Sequence, residues 1–308
     1  MQRILFIYNR HAGKNRNWAG LSEMINAMTE QDCLITAYPT QYRGDAGDAV
    51  VRCSKDYDRV VVAGGDGTLS EAISGAVRLP EPPVIGYIPI GTTNDFSKNL
   101  DLPSDKLDQL AVTAVTGNVQ IHDLGRFNDR NFLYVAAFGA FTDISYNTPQ
   151  KAKNLLGYNA YMLGAMKSLP LAMWKTNHVR VEYEDKVIEG NYLYGMVSNT
   201  TSVGRFKNFP PGHPDLSDGL LEVTLISPMQ HVEDVAEAVP ALLTLDPTNL
   251  DSMLTTFSTP KVKITADKDL PWTLDGEDGG AHRTVEIEAI HHAYRIVHGN
   301  GPAEKGGK

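Results

Sequence analysis

Over the first 125 residues, short apolar runs alternate with segments in which apolar residues recur every three or four positions. Turn residues bound the runs, as is typical of strands buried on both faces of a parallel sheet. The other segments place one apolar stripe on each predicted helix. The runs are Ile4–Tyr8, Cys33–Tyr38, Val60–Ala63 and Val84–Ile88, and the helical segments are 18–28, 46–53, 69–77 and 105–115. This alternation predicts right-handed βαβ units around a parallel sheet.

After about Gly125 the pattern changes to many short strands separated by turns, with few helices between them. We expect an α/β domain over 1–125, with a segment near 291–300 that packs back onto it, a β-rich domain over 126–290, and a frayed tail over 300–308. The strands predicted in the second domain are Phe132–Ala137, His178–Tyr183, Val187–Val197, Leu220–Ile226, Val262–Ala266, Trp272–Leu274 and Val285–Ile290, and the helices are Ala152–Leu169 and Val232–Leu245.

Charge and cysteine content narrow the class of protein. The 308 residues carry 28 basic and 37 acidic side chains, a net charge of −9, which argues against a general nucleic-acid binder but leaves room for a local basic patch. Two cysteines, Cys33 and Cys53, argue against a disulfide scaffold or a zinc cluster and favour a reducing cytosol. The first apolar run is too short for a signal peptide, and 154–174 is too polar to span a bilayer, so we expect a soluble protein.

A glycine-rich segment, Gly64-Gly65-Asp66-Gly67-Thr68, joins a predicted strand to a predicted helix. Glycines allow the backbone to turn sharply and to approach a ligand closely, and the helix start favours phosphate. A plain βα turn is the alternative, but the strand–loop–helix context and the embedded Asp66 favour a nucleotide loop. The segment matches neither the Walker A loop nor the G-x-G-x-x-G fingerprint.

Two further loops follow predicted strands. Gly91-Thr92-Thr93-Asn94-Asp95 again opens a predicted helix, and in isolation Asn94-Asp95 would be interpreted as a helix cap. Asn9-Arg10-His11-Ala12-Gly13-Lys14 leaves the first strand and offers amides and cationic side chains to a phosphate, with His11 interpreted as a surface residue rather than a catalyst. All three loops lie at carboxyl ends of predicted parallel strands, where open α/β sheets bind ligands.

Together with Leu216-Ser217-Asp218-Gly219 and Leu274-Asp275-Gly276-Glu277, these loops resemble the diacylglycerol kinase catalytic-domain superfamily. In order and spacing they are similar to its soluble bacterial lipid kinases, relatives of the sphingosine kinases, over nearly the whole chain. The first glycine motif alone is shared with NAD kinases. Segments 148–161 and 198–204 resemble the bacterial diacylglycerol kinase branch. The resemblance implies an N-terminal Rossmann-like α/β domain that binds ATP and a C-terminal β-sandwich domain that binds lipid and magnesium.

The resemblance also implies roles for individual residues. Arg10 stands where the family often has proline. Glu277 matches the catalytic base, and Asp218 matches a magnesium ligand, assisted by the backbone carbonyls of Asp215 and Leu220. Asp66, Asp95 and Asp275 are further candidates for binding waters or a second magnesium ion. The positions that match nucleotide contacts are Asn9, Arg10, His11, Ala12, Gly13, Thr40, Gly64, Gly65, Asp66, Gly67, Thr68, Leu69, Ser70 and Thr92.

The function that the resemblance implies is ATP-dependent phosphorylation of diacylglycerol to phosphatidic acid, with ATP and Mg²⁺ as cofactors. Another lipid alcohol such as sphingosine or phosphatidylglycerol, NAD, and a non-catalytic nucleotide-binding regulator remain as alternatives. We expect a cytoplasmic protein that transiently contacts the inner face of the membrane, does not bind nucleic acid, and can form a homodimer. The lysines and apolar residues of Lys151–Lys175 predict either an interfacial helix or a core helix with solvated lysines.

Overall fold

A computed structural model describes residues 1–12, 18–92, 94–103, 105–139, 176–200, 202–203, 206–207, 215–228 and 254–299. The predicted helices 152–169 and 232–245, the segment Lys151–Lys175 and the tail from 300 lie outside this part of the chain. The chain divides into two compact units, Met1–His122 with His292–Lys308, and Asp123–His291. Of the helices that the structure describes, none combines the length and apolar character needed to cross a bilayer.

The first unit contains the four strands and four helices that the apolar pattern predicts. A short 3₁₀ helix, Ser54–Asp56, follows the second α-helix, and another, Asp95–Leu100, stands where the sequence predicts a helix after Asp95. The strands are β1 (Gln2–Tyr8), β2 (Cys33–Pro39), β3 (Arg59–Gly64) and β4 (Val84–Pro89), and the helices are α1 (Trp18–Thr29), α2 (Asp45–Cys53), α3 (Asp66–Ala76) and α4 (Leu107–Thr116).

The sheet of this unit is parallel, in the order β2-β1-β3-β4. The end of the last strand of the chain extends it beside β4, where Arg295 and Ile296 lie opposite Val84 and Ile85. Strand β1 has β2 on one side and β3 on the other, so the strand order reverses at β1. The crevice outside the carboxyl ends of β1 and β3 is therefore a topological switch point, the place where open α/β sheets bind ligands.

Helices cover this sheet because alternate residues along each strand present apolar side chains to opposite faces. On one face, Phe6 packs in a buried cluster with Met28 of α1 and Ala111 of α4. Helices α2 and α3 pack against each other. Their approach depends on Gly47 and Gly75, since a Cβ atom on Gly75 would lie 2.4 Å from the carbonyl oxygen of Gly47.

The described part of the second unit consists mainly of antiparallel strands, which pack around an apolar core. Strand β16 and strand β5 each begin in one unit and end in the other. The strands are β5 (Asn118–Phe127), β6 (Arg130–Phe132), β7 (Val135–Gly139), β8 (Asn177–Tyr183), β9 (Lys186–Tyr192), β10 (Tyr194–Ser198), β11 (Ser202–Val203), β12 (Phe206–Lys207), β13 (Leu221–Ile226), β14 (Leu254–Thr259), β15 (Lys261–Leu274) and β16 (Glu277–His298).

Strand β15 joins the two layers of the sandwich. Its first half, Lys263–Ala266, pairs with β8, which in turn pairs with β9. Its last three residues, Trp272–Leu274, pair with β7, which continues through β10 and β13 to β14. Register shifts after Thr265 and after Trp272 accompany this change of partner, because bulges bend a strand and increase its twist. The predicted fold class, an α/β domain with a β-sandwich, is confirmed.

Several strand boundaries differ from the prediction for physical reasons. The predicted strand Val187–Val197 is two strands, broken at Leu193, whose N–H donates to the carbonyl of Ile226. The predicted strands Val262–Ala266 and Trp272–Leu274 form one strand, because a bulge accommodates the polar residues between them without ending the strand. Strands β5 and β14, whose residues are largely polar or exposed, were not predicted.

Two buried histidines meet inside the first unit. The Nε2 atoms of His122 and His298 lie 2.8 Å apart, and the ring of His122 packs edge-on against Tyr294 and Phe96. One ring must donate and the other accept, so the contact requires at least one neutral imidazole. Burial lowers the pKa of His298, since the charged ring would lose its hydration.

The lowered pKa of His298 predicts an acid-sensitive fold. The unfolded chain binds the proton more tightly than the folded chain, so this contribution to stability is complete above the unfolded pKa of about 6.5 and declines as the pH falls below it. Between pH 7.5 and 5.5, the free energy of unfolding should decrease more in the parent than in His298→Gln, whose amide does not titrate. Equal decreases in the two proteins, measured by urea unfolding, would contradict this assignment.

Candidate active site

The glycine-rich segment forms a tight turn from β3 into α3. Gly65 is the residue before the helix, and the N–H groups of Thr68 and Leu69 donate to its carbonyl oxygen at 3.0 and 3.2 Å. A Cβ atom on Gly64 would lie 2.6 Å from that of Thr68, so a larger residue does not fit there. The helix start has no capping side chain at its N-cap position, because that residue is Gly65. Its N–H groups therefore present partial positive charge at the carboxyl edge of the sheet, as phosphate-binding turns do.

Asp66 ties this turn to the loop that follows β4. Its two carboxylate oxygens accept the backbone N–H groups of Asp95 at 2.9 Å and of Phe96 at 3.1 Å. Hydrogen bonds to a charged acceptor contribute about 1.5–3 kcal/mol each. The carboxylate of Asp95 pairs with Lys98 at 2.5 Å. Asp66 thus holds two loops together. Its predicted interaction with waters or a cation would come in addition to this role.

The two loops also meet directly through their glycines. A Cβ atom on Gly91 would lie 2.5 Å from the Cα atom of Gly65, too close for any side chain without displacement of the backbone. Asn94 adopts a left-handed conformation with φ 51°, and its Nδ2 donates to the carbonyl of Gly91 at 3.0 Å. The side chain therefore closes the loop and does not cap the 3₁₀ helix, which corrects the capping interpretation. Thr92 is exposed beside this contact.

The loop after β1 joins the same edge. Asn9 donates from Nδ2 to the hydroxyl of Thr68 at 3.1 Å, and its Oδ1 accepts the N–H of His11 at 2.9 Å. The side chains of Arg10 and His11 are exposed, and Arg10 Nε lies 3.2 Å from His11 Nε2. Ala12 closes the turn through its N–H, 3.1 Å from the carbonyl of Asn9. Gly13, predicted to contact the nucleotide, lies outside the described residues.

Thr40 follows β2 and is held by a buried carboxylate. Its N–H donates to the carbonyl of Tyr8. The next amide, of Gln41, donates to Asp45 at 2.7 Å, and the same carboxylate accepts the hydroxyl of Tyr38 at 2.9 Å. Arg52 lies 3.4 Å away and offsets the charge of Asp45, whose side chain is fully buried. The turn that carries Thr40 is therefore fixed by α2.

The predicted nucleotide residues do not all have the same exposure. Leu69 has no exposed surface and packs in the interior of the first unit, and its N–H is already bonded to Gly65. It shapes the start of α3 and has no surface to offer a ligand, whereas Gly65 and Gly67 are on the accessible side of the turn. Ser70, one residue further, is partly buried.

In the second unit, Glu277 is the first residue after a two-residue hairpin turn. Asp275 and Gly276 have φ values of 51° and 79°, the pattern of a type I′ turn. The carboxylate of Asp275 accepts the N–H groups of Leu133, Tyr134 and Val135 at 2.7 to 3.2 Å. These bonds break the predicted strand Phe132–Ala137 into β6 and β7 and fix the turn. Asp275 is a structural anchor, and the adjacent Glu277 is exposed.

The loop 215–220 places two exposed carboxylates before β13. Asp215 Oδ1 accepts the N–H and the hydroxyl of Ser217, and Asp218 Oδ1 accepts the N–H of Leu220 at 2.9 Å. The loop is anchored by Asp123, which is fully buried and accepts the N–H of Gly219 at 2.6 Å. The N–H of Asp123 donates to the carbonyl oxygen of Leu216, and Nε2 of His291 lies 3.0 Å from the carbonyl oxygen of Ser217.

This loop suits a hard divalent cation. Both carboxylates are exposed, and within the described part of the chain their hydrogen bonds use Oδ1 of each. Carboxylate and carbonyl oxygens are the ligands that magnesium and calcium prefer. Glu222, two residues past the loop in β13, has a buried Oε2 atom that finds no hydrogen-bond partner among the described residues. Burial and the nearby charge of Asp218 raise the pKa of Glu222 to about 7.

Sequence reasoning did not select Asp45, Asp123 or Glu222. A sequence signal for two of these buried residues does exist, since each is an acidic residue among apolar ones, as in Leu220-Leu221-Glu222-Val223 and in Ile121-His122-Asp123-Leu124. Acidic residues are almost never buried unless paired, so such positions indicate a specific partner. The partners themselves are backbone amides and distant loops, which the pattern does not identify.

Comparison with known proteins places both parts of the chain among kinases. The family description "Diacylglycerol kinase catalytic domain" matches residues 3–127, and "YegS C-terminal NAD kinase beta sandwich-like domain" matches residues 142–298. A diacylglycerol kinase of Bacillus subtilis (strain 168) is 30% identical over 306 residues, 99% of this chain and 98% of the relative. One of Staphylococcus carnosus (strain TM300) is 34% identical over 284 residues, 91% and 90% of the two chains.

A solved structure agrees in fold. The crystal structure of a diacylglycerol kinase from Bacillus anthracis matches with a TM-score of 0.81 at 21% identity, covering 97% of this chain and 98% of that chain.

The contact between the two glycine loops predicts that alanine at Gly91 and alanine at Gly65 have different effects on stability. Gly91→Ala should destabilise the protein by about 1–3 kcal/mol, the usual cost of overpacking, because its Cβ atom would meet Gly65 Cα at 2.5 Å. Gly65→Ala is the matched control, since its Cβ atom would lie 3.4 Å from Gly91 Cα, an ordinary contact. Thermal unfolding without ligand should show a lower Tm for Gly91→Ala only. A similar Tm for both variants would mean that the loops do not touch as described.

Proposed function

The chain belongs to the diacylglycerol kinase family and is a lipid kinase, and on that premise we propose that it transfers the γ-phosphoryl group of ATP to the hydroxyl of diacylglycerol. The products are ADP and phosphatidic acid. The observation that carries the proposal is the convergence of three loops, after β1, β3 and β4, at one switch point of a parallel sheet. Curated relatives that bear the name diacylglycerol kinase support this lipid over other lipid alcohols.

The first unit supplies the ATP site in this proposal. The uncapped start of α3 and the backbone of Gly64–Thr68 take the phosphates, because N–H groups and the helix dipole favour negative charge. Asn9, His11 and Thr92 border the same edge of the sheet, and Arg10 offers a positive charge. Thr40, in the turn that Asp45 fixes through Tyr38 and Gln41, completes the set. Leu69 acts through the fold of the turn.

The second unit supplies the base and the cation site. Glu277 accepts the proton of the lipid hydroxyl as its oxygen attacks the γ-phosphorus of ATP, and the bond from that phosphorus to the bridging oxygen of ADP breaks. Its exposed position beside a turn fixed by Asp275 suits a group that must meet a substrate. The carboxylate of Asp218 and the backbone carbonyls of Asp215 and Leu220 would hold magnesium. When bound, that ion supplies positive charge that offsets neighbouring negative groups.

The proposed substrate requires the enzyme to bind a membrane. The acyl chains of diacylglycerol lie in a bilayer, so we propose a cytoplasmic enzyme that binds the inner face of the membrane transiently. The lysine-rich segment Lys151–Lys175, outside the described residues, is the proposed contact, since each lysine near an anionic leaflet contributes about 1 kcal/mol. The homodimer stays a prediction.

A substrate panel tests the proposed function. Radiolabelled ATP with Mg²⁺ is offered together with diacylglycerol, sphingosine, phosphatidylglycerol or NAD, the lipids in mixed micelles, and the labelled product is identified. We expect label in phosphatidic acid. Label in another lipid or in NADP would identify that lipid or NAD, and not diacylglycerol, as the phosphoryl acceptor. No label in any product would favour a non-catalytic regulator.

The proposed base gives a second prediction. Glu277→Gln should bind ATP as the parent does and should reduce turnover by ~10²-fold or more, since a general base typically contributes this much. Glu286→Gln is the matched control, because Glu286 is a carboxylate of the same strand that pairs with Lys261. Near-parental turnover of Glu277→Gln would remove Glu277 from this role.

A further inference from the structure

Tyr87 is a buried phenol near the two glycine loops of the first unit. It belongs to β4, within the apolar run Val84–Ile88, and only 2% of the residue is exposed. Ile88 packs with residues of α1 and α4, and successive side chains of a strand point to opposite faces, so Tyr87 lies on the other face of the sheet. A phenylalanine would fill such an apolar position equally well. The hydroxyl group therefore has a role other than packing.

The hydroxyl oxygen of Tyr87 contacts one atom from each glycine loop. It lies 3.3 Å from the carbonyl oxygen of Gly64 and 3.5 Å from Oδ1 of Asn94. Both of these oxygens can only accept a hydrogen bond. Burial, together with the charge of Asp66, raises the pKa of Tyr87, so the hydroxyl keeps its proton and is the donor. Both distances are longer than the usual ~2.7–2.8 Å, as expected where two acceptors share one hydrogen.

The contact with Gly64 bears on the direction of the next amide. The carbonyl oxygen of Gly64 also accepts the N–H of Ile90 at 2.9 Å, so the carbonyl points toward β4. In a trans peptide the N–H lies opposite the carbonyl, and the N–H of Gly65 therefore points away from β4, toward the side of β1. That side is the switch point between β1 and β3, to which the proposed function assigns the phosphates of ATP.

The contact with Asn94 bears on the second loop. Nδ2 of Asn94 donates to the carbonyl of Gly91 at 3.0 Å, and Oδ1 of the same amide meets the hydroxyl of Tyr87. Asn94 thus connects Gly91 to Tyr87, and Tyr87 connects Asn94 to Gly64. Because a Cβ atom on Gly91 would lie only 2.5 Å from the Cα atom of Gly65, a displacement of one loop affects the other.

We propose that Tyr87 is a positioning residue of the nucleotide site, whose hydroxyl group holds the Gly64–Gly65 peptide and Asn94 in the arrangement that receives the phosphates of ATP. The inference rests on the proposed function. Tyr87 is buried and acts on the nucleotide through the N–H of Gly65. Without the hydroxyl, the peptide loses one of the two groups that hold its carbonyl, so the binding of phosphate has to order it at a cost in conformational entropy.

Binding measurements on a conservative variant test this proposal. Tyr87→Phe keeps the ring and removes the hydroxyl group. The Kd for ATP is measured by calorimetry and the Kd for adenosine by ligand-observed NMR, both on the full chain without lipid. We expect the Kd for ATP to rise about 3- to 10-fold, the usual contribution of one neutral hydrogen bond, and the Kd for adenosine to stay at the parental value. An effect that comes only from a loosened fold would weaken the binding of both ligands.

Two further variants sharpen the result. Tyr57→Phe is the matched control, because Tyr57 lies just before β3, at the amino end of the sheet, and this variant should bind both ligands as the parent does. Asn94→Gly removes the other end of the contact and keeps the left-handed backbone accessible. The double variant of Tyr87→Phe with Asn94→Gly should weaken ATP binding by less than the product of the two single effects, because a shared contact is lost only once.

Three results would overturn the proposal. The first is a parental Kd for ATP in Tyr87→Phe. The second is an equal rise in the Kd values of ATP and adenosine, which would assign the effect to the fold. The third is a double variant whose effect equals the product of the single effects, which would show that Tyr87 and Asn94 act independently.

Turnover measurements separate this inference from the proposed function. Phosphorylation of diacylglycerol by the parent decides whether the chain is a diacylglycerol kinase. In Tyr87→Phe, the KM for ATP should rise while the KM for diacylglycerol stays parental. An active parent with an unchanged KM for ATP in the variant would leave the function standing and remove Tyr87 from this role. A parent that binds ATP and phosphorylates another acceptor would do the reverse, provided that Tyr87→Phe weakens ATP binding.

Discussion

Carboxylates that accept backbone N–H groups hold the loops on which the proposed chemistry depends. Asp66 shows the arrangement most clearly, since its two oxygens take the amides of Asp95 and Phe96 and join the loops after β3 and β4. A loop has few contacts of its own, and an ionised acceptor gives its amides about twice the hydrogen-bond strength of a neutral one. The same device recurs in both units: Asp45 holds the turn at Gln41, Asp123 holds Gly219, and Asp275 holds Leu133, Tyr134 and Val135.

This arrangement separates the acidic residues into two classes. The anchoring carboxylates of Asp45 and Asp123 are fully buried and are engaged by amides. Asp218 and Glu277 are exposed next to such anchors. Under the proposed function, this division accounts for the anchors Asp45 and Asp66 beside the loops that we propose bind the phosphates of ATP. A carboxylate that accepts hydrogen bonds from backbone N–H groups stabilises its loop, and it repels the phosphates less than a free carboxylate would.

Periodicity predicted the first unit well because buried parallel strands and amphipathic helices each leave a strong local pattern. The glycine motifs also predicted that the loops after β3 and β4 lie together, since the close approach of Gly65 and Gly91 excludes side chains at the latter position. The anchors were not predicted in this role, because Asp275 and Leu133 are 142 residues apart and no local pattern connects them. Strand β15 was interpreted as two strands for a related reason, since a bulge that changes partners is a tertiary feature.

Amide hydrogen exchange, measured residue by residue by NMR, tests most directly whether carboxylate-to-amide bonds hold these loops. In the parent, the amides of Asp95 and Phe96 should exchange slowly. Asp66→Ala removes their acceptor, and each lost bond is worth about 1.5–3 kcal/mol, so both amides should exchange ~10-fold faster or more. The amide of Gly219, held by Asp123 in the second unit, should be unchanged in the same spectra. Equal exchange rates for Asp95 and Phe96 in parent and variant would contradict the account.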